Sequence, residues 1–308
     1  MKTDILLTVK DVSISFGKVK ALSHINCEFS ERNGVIGLIG PNGAGKTTLI
    51  HSVFGFNKQN MVSGKILSSN KEMAYCPDTP EFPSNLTAFE VLTYSALISQ
   101  FPDVSKKRKE ELLTIVGLLD NKDQIASSFS RGMKQRLGIA ASLILNPKIL
   151  FLDEPTSALD PMGREDILNI IHNLSKDVTV VVSSHDLDDI QKIADGLIVL
   201  NKGKLIYSGG LNNFLKLFKE VAYIEVKEVS YRQKIISLLA NHQIEILEGG
   251  DQFGENIITF LPEDFPKVLD LIDRQTASYI KLCINGENNL YHAFSKAIHQ
   301  KKEELNVD

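Results

Sequence analysis

GPNGAGKTT, residues 40–48, matches the phosphate-binding pattern G-x-x-x-x-G-K-[ST]. It follows the short apolar run VIGLIG at 35–40 and precedes a helix that we expect to begin near Lys46. A buried strand, a glycine-rich turn and a helix N-terminus together present backbone N–H groups to phosphate oxygens. The segment therefore predicts a nucleotide-binding domain of strands and helices, rather than a glycine turn with a lysine there by chance.

Each position in this loop has an expected role. Gly40, Gly43 and Gly45 let the backbone curl around the phosphates. The side chain of Lys46 is expected to reach the β- and γ-phosphates, and the hydroxyl of Thr47 to ligate Mg²⁺. The other loop residues expected to contact the nucleotide are Asn42, Ala44 and Thr48.

A second, acidic segment, KILFLDEPTSALDP at 148–161, supports this interpretation. Asp153 ends an apolar run, where a buried carboxylate is costly unless it meets a cation. In a nucleotide-hydrolysing enzyme such an aspartate orients Mg²⁺, and the adjacent Glu154 can polarise the attacking water. The alternative is an acidic pair that faces solvent at a strand end, which the phosphate loop upstream disfavours.

The order of the predicted elements indicates an α/β fold. KILFLD (148–153) and VTVVVSS (178–184) are continuous apolar runs, typical of strands buried on both faces of a parallel sheet. A helix is predicted between them at 161–175, and a helix-rich insertion at about 84–145. The other expected elements are strands at 5–16 and 24–30 and helices at 86–99, 105–119 and 133–145.

The pattern changes after NKGKLIYSGG at 201–210, which indicates a second domain. The order there is strand, helix, strand, strand, helix, strand, carried by the segments AYIEV, YRQKIISLLANH, IEIL, NIITFL, PKVLDLIDRQ and YIKLCI. This order predicts a small α+β ferredoxin-like domain over 222–308, closed by a helix at 289–303. The nucleotide-binding domain is expected to span 1–217.

Composition excludes several classes of function. The chain has 308 residues and a formal net charge of −4, so basic character is confined to clusters such as FSRGMKQR at 129–136. Its three cysteines form no CxxC pair, which argues against a disulfide framework or a zinc ribbon. No apolar run is long enough to cross a bilayer, and the first residues lack a signal-peptide pattern. We therefore expect a cytoplasmic protein.

Together, GPNGAGKTT, FSRGMKQR, FLDEPTSALD and VVSSHD closely resemble the nucleotide-binding subunits of ATP-binding cassette (ABC) proteins. The resemblance covers roughly residues 4–210, in the same order and with similar spacing. It implies an α/β P-loop NTPase fold with an antiparallel β subdomain and a helical insertion. It also implies ATP and Mg²⁺ as cofactors and ATP hydrolysis as the activity.

The resemblance assigns the basic cluster to ATP rather than to nucleic acid. Ser130 and Gly132 match the serine and second glycine of the family signature, which contacts ATP held by the other subunit. Arg131 replaces the first glycine of that signature, and Met133 replaces its glutamine. Two readings of Arg131 stay open at this point: a phosphate contact, or an ion pair with a carboxylate of the partner.

Three further matches carry roles by resemblance. His185 matches the switch histidine that contacts the γ-phosphate, and Ser157 to Asp160 match the loop that couples the two ATP sites. Phe16 occupies the place of the aromatic residue that stacks on adenine. The alternative for Phe16 is an ordinary core phenylalanine on a strand.

Asp78, in AYCPDTPEF, is the main departure from the family pattern. The family usually has glutamine after this proline, where it touches Mg²⁺ and the attacking water. Aspartate could still ligate Mg²⁺, but its charge would repel γ-phosphate oxygens. The alternative is that Asp78 only turns the chain between Pro77 and Pro80.

By this resemblance we expect an ATP-hydrolysing transporter subunit at the cytoplasmic face of the membrane, working as a homodimer or heterodimer. A separate transmembrane permease would be its partner, docked near the insertion, with Phe82, Leu86 and Phe89 as exposed candidate contacts. For Leu86 and Phe89, packing in the core of the insertion is the alternative. Export of a drug, peptide or antibiotic is the expected process. The alternatives are an importer, or a soluble ABC ATPase that acts on DNA or in translation.

Overall fold

The computed structural model describes residues 5–30, 34–68, 73–100, 103–217, 222–247, 256–284 and 290–303. The chain divides into two compact units, residues 1–214 and residues 215–308. Each unit encloses its own buried apolar cluster.

The first unit contains nine described strands and the helices between them. The strands are β1 (Ile5–Phe16), β2 (Val19–Ser30), β3 (Gly34–Ile39), β4 (Met61–Ser68), β5 (Met73–Cys76), β6 (Ile149–Asp153), β7 (Thr179–Ser184), β8 (Gly196–Asn201) and β9 (Lys204–Gly210). The helices are α1 (Lys46–Val53), α2 (Ala88–Ile98), α3 (Lys106–Ile115), α4 (Arg131–Leu143), α5 (Pro161–Leu174), α6 (Leu187–Ile193) and α7 (Leu211–Leu217).

A six-stranded sheet in the order β5-β6-β7-β3-β8-β9 forms the centre of this unit. Its strands pair in parallel except for the terminal β8–β9 hairpin. Every residue of β6 and β7 is buried, which confirms the prediction of strands covered on both faces. Parallel pairing places the carboxyl ends of β3, β6 and β7 at one edge, where ligands bind in such sheets.

A smaller antiparallel sheet, in the order β2-β1-β4, packs against the central sheet and confirms the expected β subdomain. The two sheets share one apolar cluster. Within it, the rings of Phe29 on β2 and Phe151 on β6 meet edge to face with centroids 5.6 Å apart. This shared core fixes the small sheet relative to the strand that carries Asp153.

Local sequence signals set the helix starts. Thr87 and Glu90 form a capping box at the start of α2, and Ser105 caps α3. Ser130 caps α4, so this helix begins at Arg131 rather than at residue 133 as predicted. Asp160 caps α5, with proline at its first position.

One expectation for the helical insertion needs correction. Phe82, Leu86 and Phe89 are half-buried rather than exposed, which favours core packing for Leu86 and Phe89. The Lys109 ammonium lies over the Phe89 ring, 4.9 Å from its centroid. The exposed apolar side chains lie further along α2, at Leu97 and Ile98.

Helix α4 packs tightly on the loop that follows β5. The amide of buried Gln135 donates a hydrogen bond to the Pro77 carbonyl, 3.3 Å away. One turn later, a Cβ built on Gly138 would lie 2.5 Å from the ring of Pro80 and 3.0 Å from the sulfur of Cys76. Burial raises the pKa of the Cys76 thiol to about 12, so this cysteine is a packing residue.

The second unit contains the strands β10 (Ala222–Val226), β11 (Ile257–Phe260) and β12 (Ile280–Ile284) and the helices α8 (Val229–Asn241), α9 (Phe265–Leu271), α10 (Arg274–Tyr279) and α11 (Leu290–Glu303). Its strands form an antiparallel sheet in the order β11-β10-β12. The ferredoxin-like assignment stays a prediction.

Two predicted elements of the second unit differ from the structure. The segment IEIL forms no strand, and only Ile246 bridges to Phe260 on β11. The predicted helix at 266–275 is two helices, because Asp273 accepts a hydrogen bond from the backbone N–H of Thr276 and caps α10. Residues 248–255 lie outside the described part of the chain.

We predict that Gly138→Ala destabilises the protein by about 1–3 kcal/mol, because the added methyl overlaps the Pro80 ring. In an unconstrained helix interior the same change stabilises by about 1 kcal/mol. Urea denaturation of both proteins measures the difference in free energy of unfolding. A neutral or stabilising result would show that the Pro80 loop can move away from α4.

Candidate active site

The phosphate loop connects β3 to α1. Gly43 and Gly45 have φ angles of +76° and +103°, which lie in the left-handed region that favours glycine. A Cβ on Gly40 would lie 2.4 Å from the Leu200 carbonyl oxygen, so this position admits no side chain. No side chain caps α1, so the first backbone N–H groups of this helix are available to an anion.

Lys46 is held in place at the start of α1. Its side chain is only 7% exposed, and its ammonium donates a hydrogen bond to the Gly40 carbonyl at 2.9 Å. The same Nζ lies 3.4 Å from Oε1 of Glu154, at the end of β6. A buried ammonium between a carbonyl and a carboxylate is a fixed positive charge at the mouth of the loop.

The Asp153–Glu154 pair is fixed by a serine on the neighbouring strand. Ser183 on β7 donates its hydroxyl to Oδ1 of Asp153, which is 3% exposed. The backbone N–H of Glu154 donates to the Ser183 hydroxyl at 2.9 Å and to its carbonyl at 3.1 Å. Glu154 takes a φ of +45°, unusual for a residue with a side chain and typical of functional sites.

His185 lies beside Glu154. Its Nδ1 is 2.7 Å from Oε2 of Glu154, and its ring is 54% exposed. The carboxylate of Glu154 therefore has an ammonium on one oxygen and an imidazole on the other. The structure thus joins Lys46, Glu154 and His185, which come from three distant parts of the sequence.

A cavity of about 400 Å³ opens beside this group. It is lined by side chains with oxygen atoms, by aromatic rings and by a proline: Thr47, His51, Phe56, Tyr75, Pro77, Asp78, Asp153 and Glu154. A hydroxyl and carboxylates are the ligands that Mg²⁺ takes when phosphates and water complete its shell. The chemistry of Thr47, Asp153 and Asp78 therefore fits this ion.

Other predicted site residues lie away from this cavity. Ser130, whose hydroxyl accepts a hydrogen bond from the Met133 N–H at 3.2 Å, is exposed at the start of α4. Gly132 lies in the first turn of that helix, and a Cβ there would come 3.9 Å from Leu159. Phe16 ends β1 with a ring that is 42% exposed.

Comparison with known proteins agrees with this geometry. The family model described as ABC transporter matches residues 22–157. The bacitracin transport ATP-binding protein BcrA of Bacillus licheniformis is 33% identical over 249 residues, which cover 77% of this chain and 79% of that protein. The chain belongs to the ABC transporter ATP-binding family.

Two further relatives and one solved structure extend the comparison. BcrA of Enterococcus faecalis is 30% identical over 97% of this chain and 98% of its own length. The lantibiotic transport ATP-binding protein SrtF of Streptococcus pyogenes is 33% identical over 71% of this chain and 99% of its own length. The ATP-binding subunit of an ABC transporter superposes with a TM-score of 0.60, at 27% identity over 69% of this chain and 93% of that one.

Membership of the ABC family fixes the general activity. The chain is an ATP-binding subunit that hydrolyses ATP. None of the helices in the described part of the chain has the length and apolar character needed to cross a bilayer.

Sequence patterns did not identify Arg164, which contacts acidic residues beside the candidate site. Arg164 on α5 binds both carboxylate oxygens of buried Asp189, at 2.7 and 2.8 Å, and pairs with Asp186 next to His185. This arginine ties α5, which follows the Ser157–Asp160 loop, to the turn that carries His185. An arginine in the first turn of a helix matches no sequence motif, so only the folded structure reveals this contact.

Tyr75 and His51 were also missed. The Tyr75 hydroxyl lies 3.1 Å from Nε2 of His51, and both residues line the cavity. Burial, together with the charges of Asp153 and Asp78, raises the pKa of Tyr75 above its usual range. The phenol therefore stays protonated and can donate a hydrogen bond to an acidic neighbour.

We predict a pH-dependent contribution to stability from Asp186. Burial opposes its charge, yet hydrogen bonds from Arg164 and from the N–H groups of Asp189 and Asp188 hold its pKa below its usual value of 3.8. Such a carboxylate stabilises the folded state above its unfolded pKa and loses that contribution as pH falls through its folded pKa. Asp186→Asn should cost about 1 kcal/mol at pH 7, because asparagine still caps α6 but carries no charge.

Urea denaturation between pH 7 and pH 3 checks this prediction. The gap between wild type and Asp186→Asn should close as the pH falls below 3.8. Asp188→Asn, an exposed change in the same turn, is the matched control and should leave no comparable gap. A gap that is constant with pH would contradict a charge effect.

Proposed function

We propose that Glu154 is the general base that activates water for attack on the γ-phosphate of ATP. Its carboxylate ends a buried strand, and the Ser183 hydroxyl and carbonyl hold its backbone in the left-handed conformation. This geometry turns the side chain out of the sheet toward the phosphate loop. The pairing of Glu154 with Lys46 is the observation that carries the assignment.

Lys46 and the loop amides bind the phosphates. Because the Lys46 ammonium sits within reach of both Gly40 and Glu154, a phosphate oxygen that takes this ammonium releases the carboxylate for water. His185 holds the other carboxylate oxygen and can contact the γ-phosphate through its exposed ring. Binding of ATP thus converts an internal ion pair into a base and an anion site.

Thr47 and Asp153 would hold Mg²⁺, with Asp78 at the same cavity. When bound, this ion neutralises charge that develops on the β- and γ-phosphate oxygens. The Ser183 hydroxyl fixes one oxygen of Asp153. Three carboxylates, Asp78, Asp153 and Glu154, therefore face the place where a polyphosphate binds.

The site is completed by a second copy or a homologous subunit. Ser130 and Gly132 lie at the exposed N-terminus of α4, outside the cavity that Lys46 borders, so they are free to meet ATP on another subunit. Two subunits that exchange these segments form two composite sites with two-fold symmetry. The partly exposed ring of Phe16 offers a face to adenine.

We predict that Glu154→Gln lowers the rate of ATP hydrolysis by about 10²- to 10⁴-fold, because an amide cannot accept the proton of water. MgATP binding should persist, and the variant should accumulate as an ATP-bound dimer in size-exclusion chromatography. Glu165→Gln, an exposed change on α5, is the matched control and should turn over like wild type. Normal hydrolysis by Glu154→Gln would assign the base elsewhere.

We infer that the transported substrate is an antibiotic peptide and that the direction is export. The named relatives handle bacitracin and lantibiotics. The Enterococcus match extends over 97% of the chain and so includes the second unit, whereas the lantibiotic match covers 71%. A shared second unit favours a bacitracin-type system, with a separate permease in the membrane.

Deletion of the encoding gene in its native host tests this inference. We predict greater sensitivity to bacitracin or lantibiotics, restored by the wild-type chain but not by Glu154→Gln. A tagged chain should also co-purify with a multi-span membrane protein. Unchanged sensitivity together with co-purified DNA or ribosomes would place the protein among the non-transport ABC ATPases.

A further inference from the structure

The two departures from the family pattern, Asp78 and Arg131, lie at the same place in the structure. Both line a second, smaller cavity of about 200 Å³, together with Thr79, Pro80, Lys134 and Gln135. Asp78 also lines the larger cavity beside Thr47, Asp153 and Glu154. Asp78, which stands where the family usually has glutamine, therefore shares its second cavity with two positively charged side chains.

Packing of α4 on the loop after β5 produces this arrangement. Arg131, Lys134, Gln135 and Gly138 recur at helical spacing, so they share one face of α4. On that face, Gln135 donates to the Pro77 carbonyl and Gly138 makes room for Pro80. Because the loop is held at Pro77 and at Pro80, Asp78 between them is presented to the first turn of the helix.

The position of Asp78 between the two cavities affects the electrostatics of ATP binding. The ATP cavity already carries Asp153 and Glu154, and a third carboxylate raises the repulsion that a triphosphate meets. Two cations on the other side of Asp78, with the positive end of the α4 dipole, lower that repulsion. Asp78 and Arg131 are exposed, so their charges act on each other through solvent and salt weakens the effect.

We propose that Arg131, assisted by Lys134, compensates the charge of Asp78 within the same chain, and so allows an aspartate to stand where the family has glutamine. Arg131 is thereby a positioning residue for the ATP site of its own subunit. This assignment differs from a direct phosphate contact and from an ion pair with the partner subunit. It rests on the proposed roles of Asp153 and Glu154 in ATP hydrolysis.

A double-mutant cycle on the full chain tests the proposal. The variants are Arg131→Gln, Asp78→Gln and the two together, each in the Glu154→Gln background, where binding of a fluorescent ATP analogue with Mg²⁺ is measured without turnover. Arg131→Gln should weaken binding by about three- to tenfold when Asp78 is present, and by less than twofold when Asp78 is also changed to glutamine. Equal weakening in both backgrounds would overturn the proposal.

Two further measurements separate charge from structure. Arg131→Lys should keep most of the affinity, since compensation needs a positive charge and not a planar fork, whereas a bidentate contact would be lost. Raising the salt concentration should shrink the difference between Arg131→Gln and wild type, because the cavity is open to ions. Salt-independent loss, or failure of lysine to substitute, would contradict compensation.

The controls keep this result separate from the fate of the ATPase assignment. Lys107→Gln removes an exposed positive charge from α3, outside both cavities, and should leave nucleotide affinity unchanged. If Glu154→Gln abolishes hydrolysis while the cycle is additive, the compensation fails and the base assignment stands. If Glu154→Gln hydrolyses ATP normally, the proposed site itself is wrong.

Discussion

One pair of hydrogen bonds between adjacent strands holds the candidate site together. The Ser183 hydroxyl donates to Asp153 and accepts from the backbone N–H of Glu154. A buried carboxylate and a strained backbone are both costly on their own, by several and by about 1–3 kcal/mol respectively. The serine satisfies the carboxylate and fixes the turn at once. The parallel register of β6 with β7, which pairs Asp153 with Ser183, makes this contact possible.

The same register explains why residues far apart in the sequence act together. β3 pairs with β7, and β7 pairs with β6, so the ends of three strands form a continuous edge. Lys46 follows the first strand, Glu154 the third and His185 the second. Their side chains meet within 3.4 Å. The order of the strands therefore brings these residues together, and the point at which each strand ends determines which residue reaches the site.

Sequence patterns predicted most of the first unit because its signals are local. The phosphate loop and the apolar runs of β6 and β7 are each recognisable from a few consecutive residues. The partners of the site residues were not predictable in this way. Ser183 lies 30 residues from Asp153, and Arg164 lies 25 from Asp189, so only the folded register connects them. The prediction of the second unit was less accurate. Whether IEIL forms a strand depends on tertiary pairing, and the predicted helix at 266–275 is divided by a capping residue within it.

Arg131 shows how a local signal can mislead. The three basic residues of FSRGMKQR suggest a surface that binds phosphates, yet they have two different environments in the structure. Arg136 donates to the carbonyl of Val116, and so belongs to the packing of α4 against the end of α3. Arg131 and Lys134 border the small cavity with Asp78. A charge cluster in sequence therefore separates into one structural residue and two that act on an acidic neighbour, because a helix distributes successive side chains around its axis. The charge of a side chain indicates which kind of partner it can bind. The face of the helix on which it lies determines which partner is within reach.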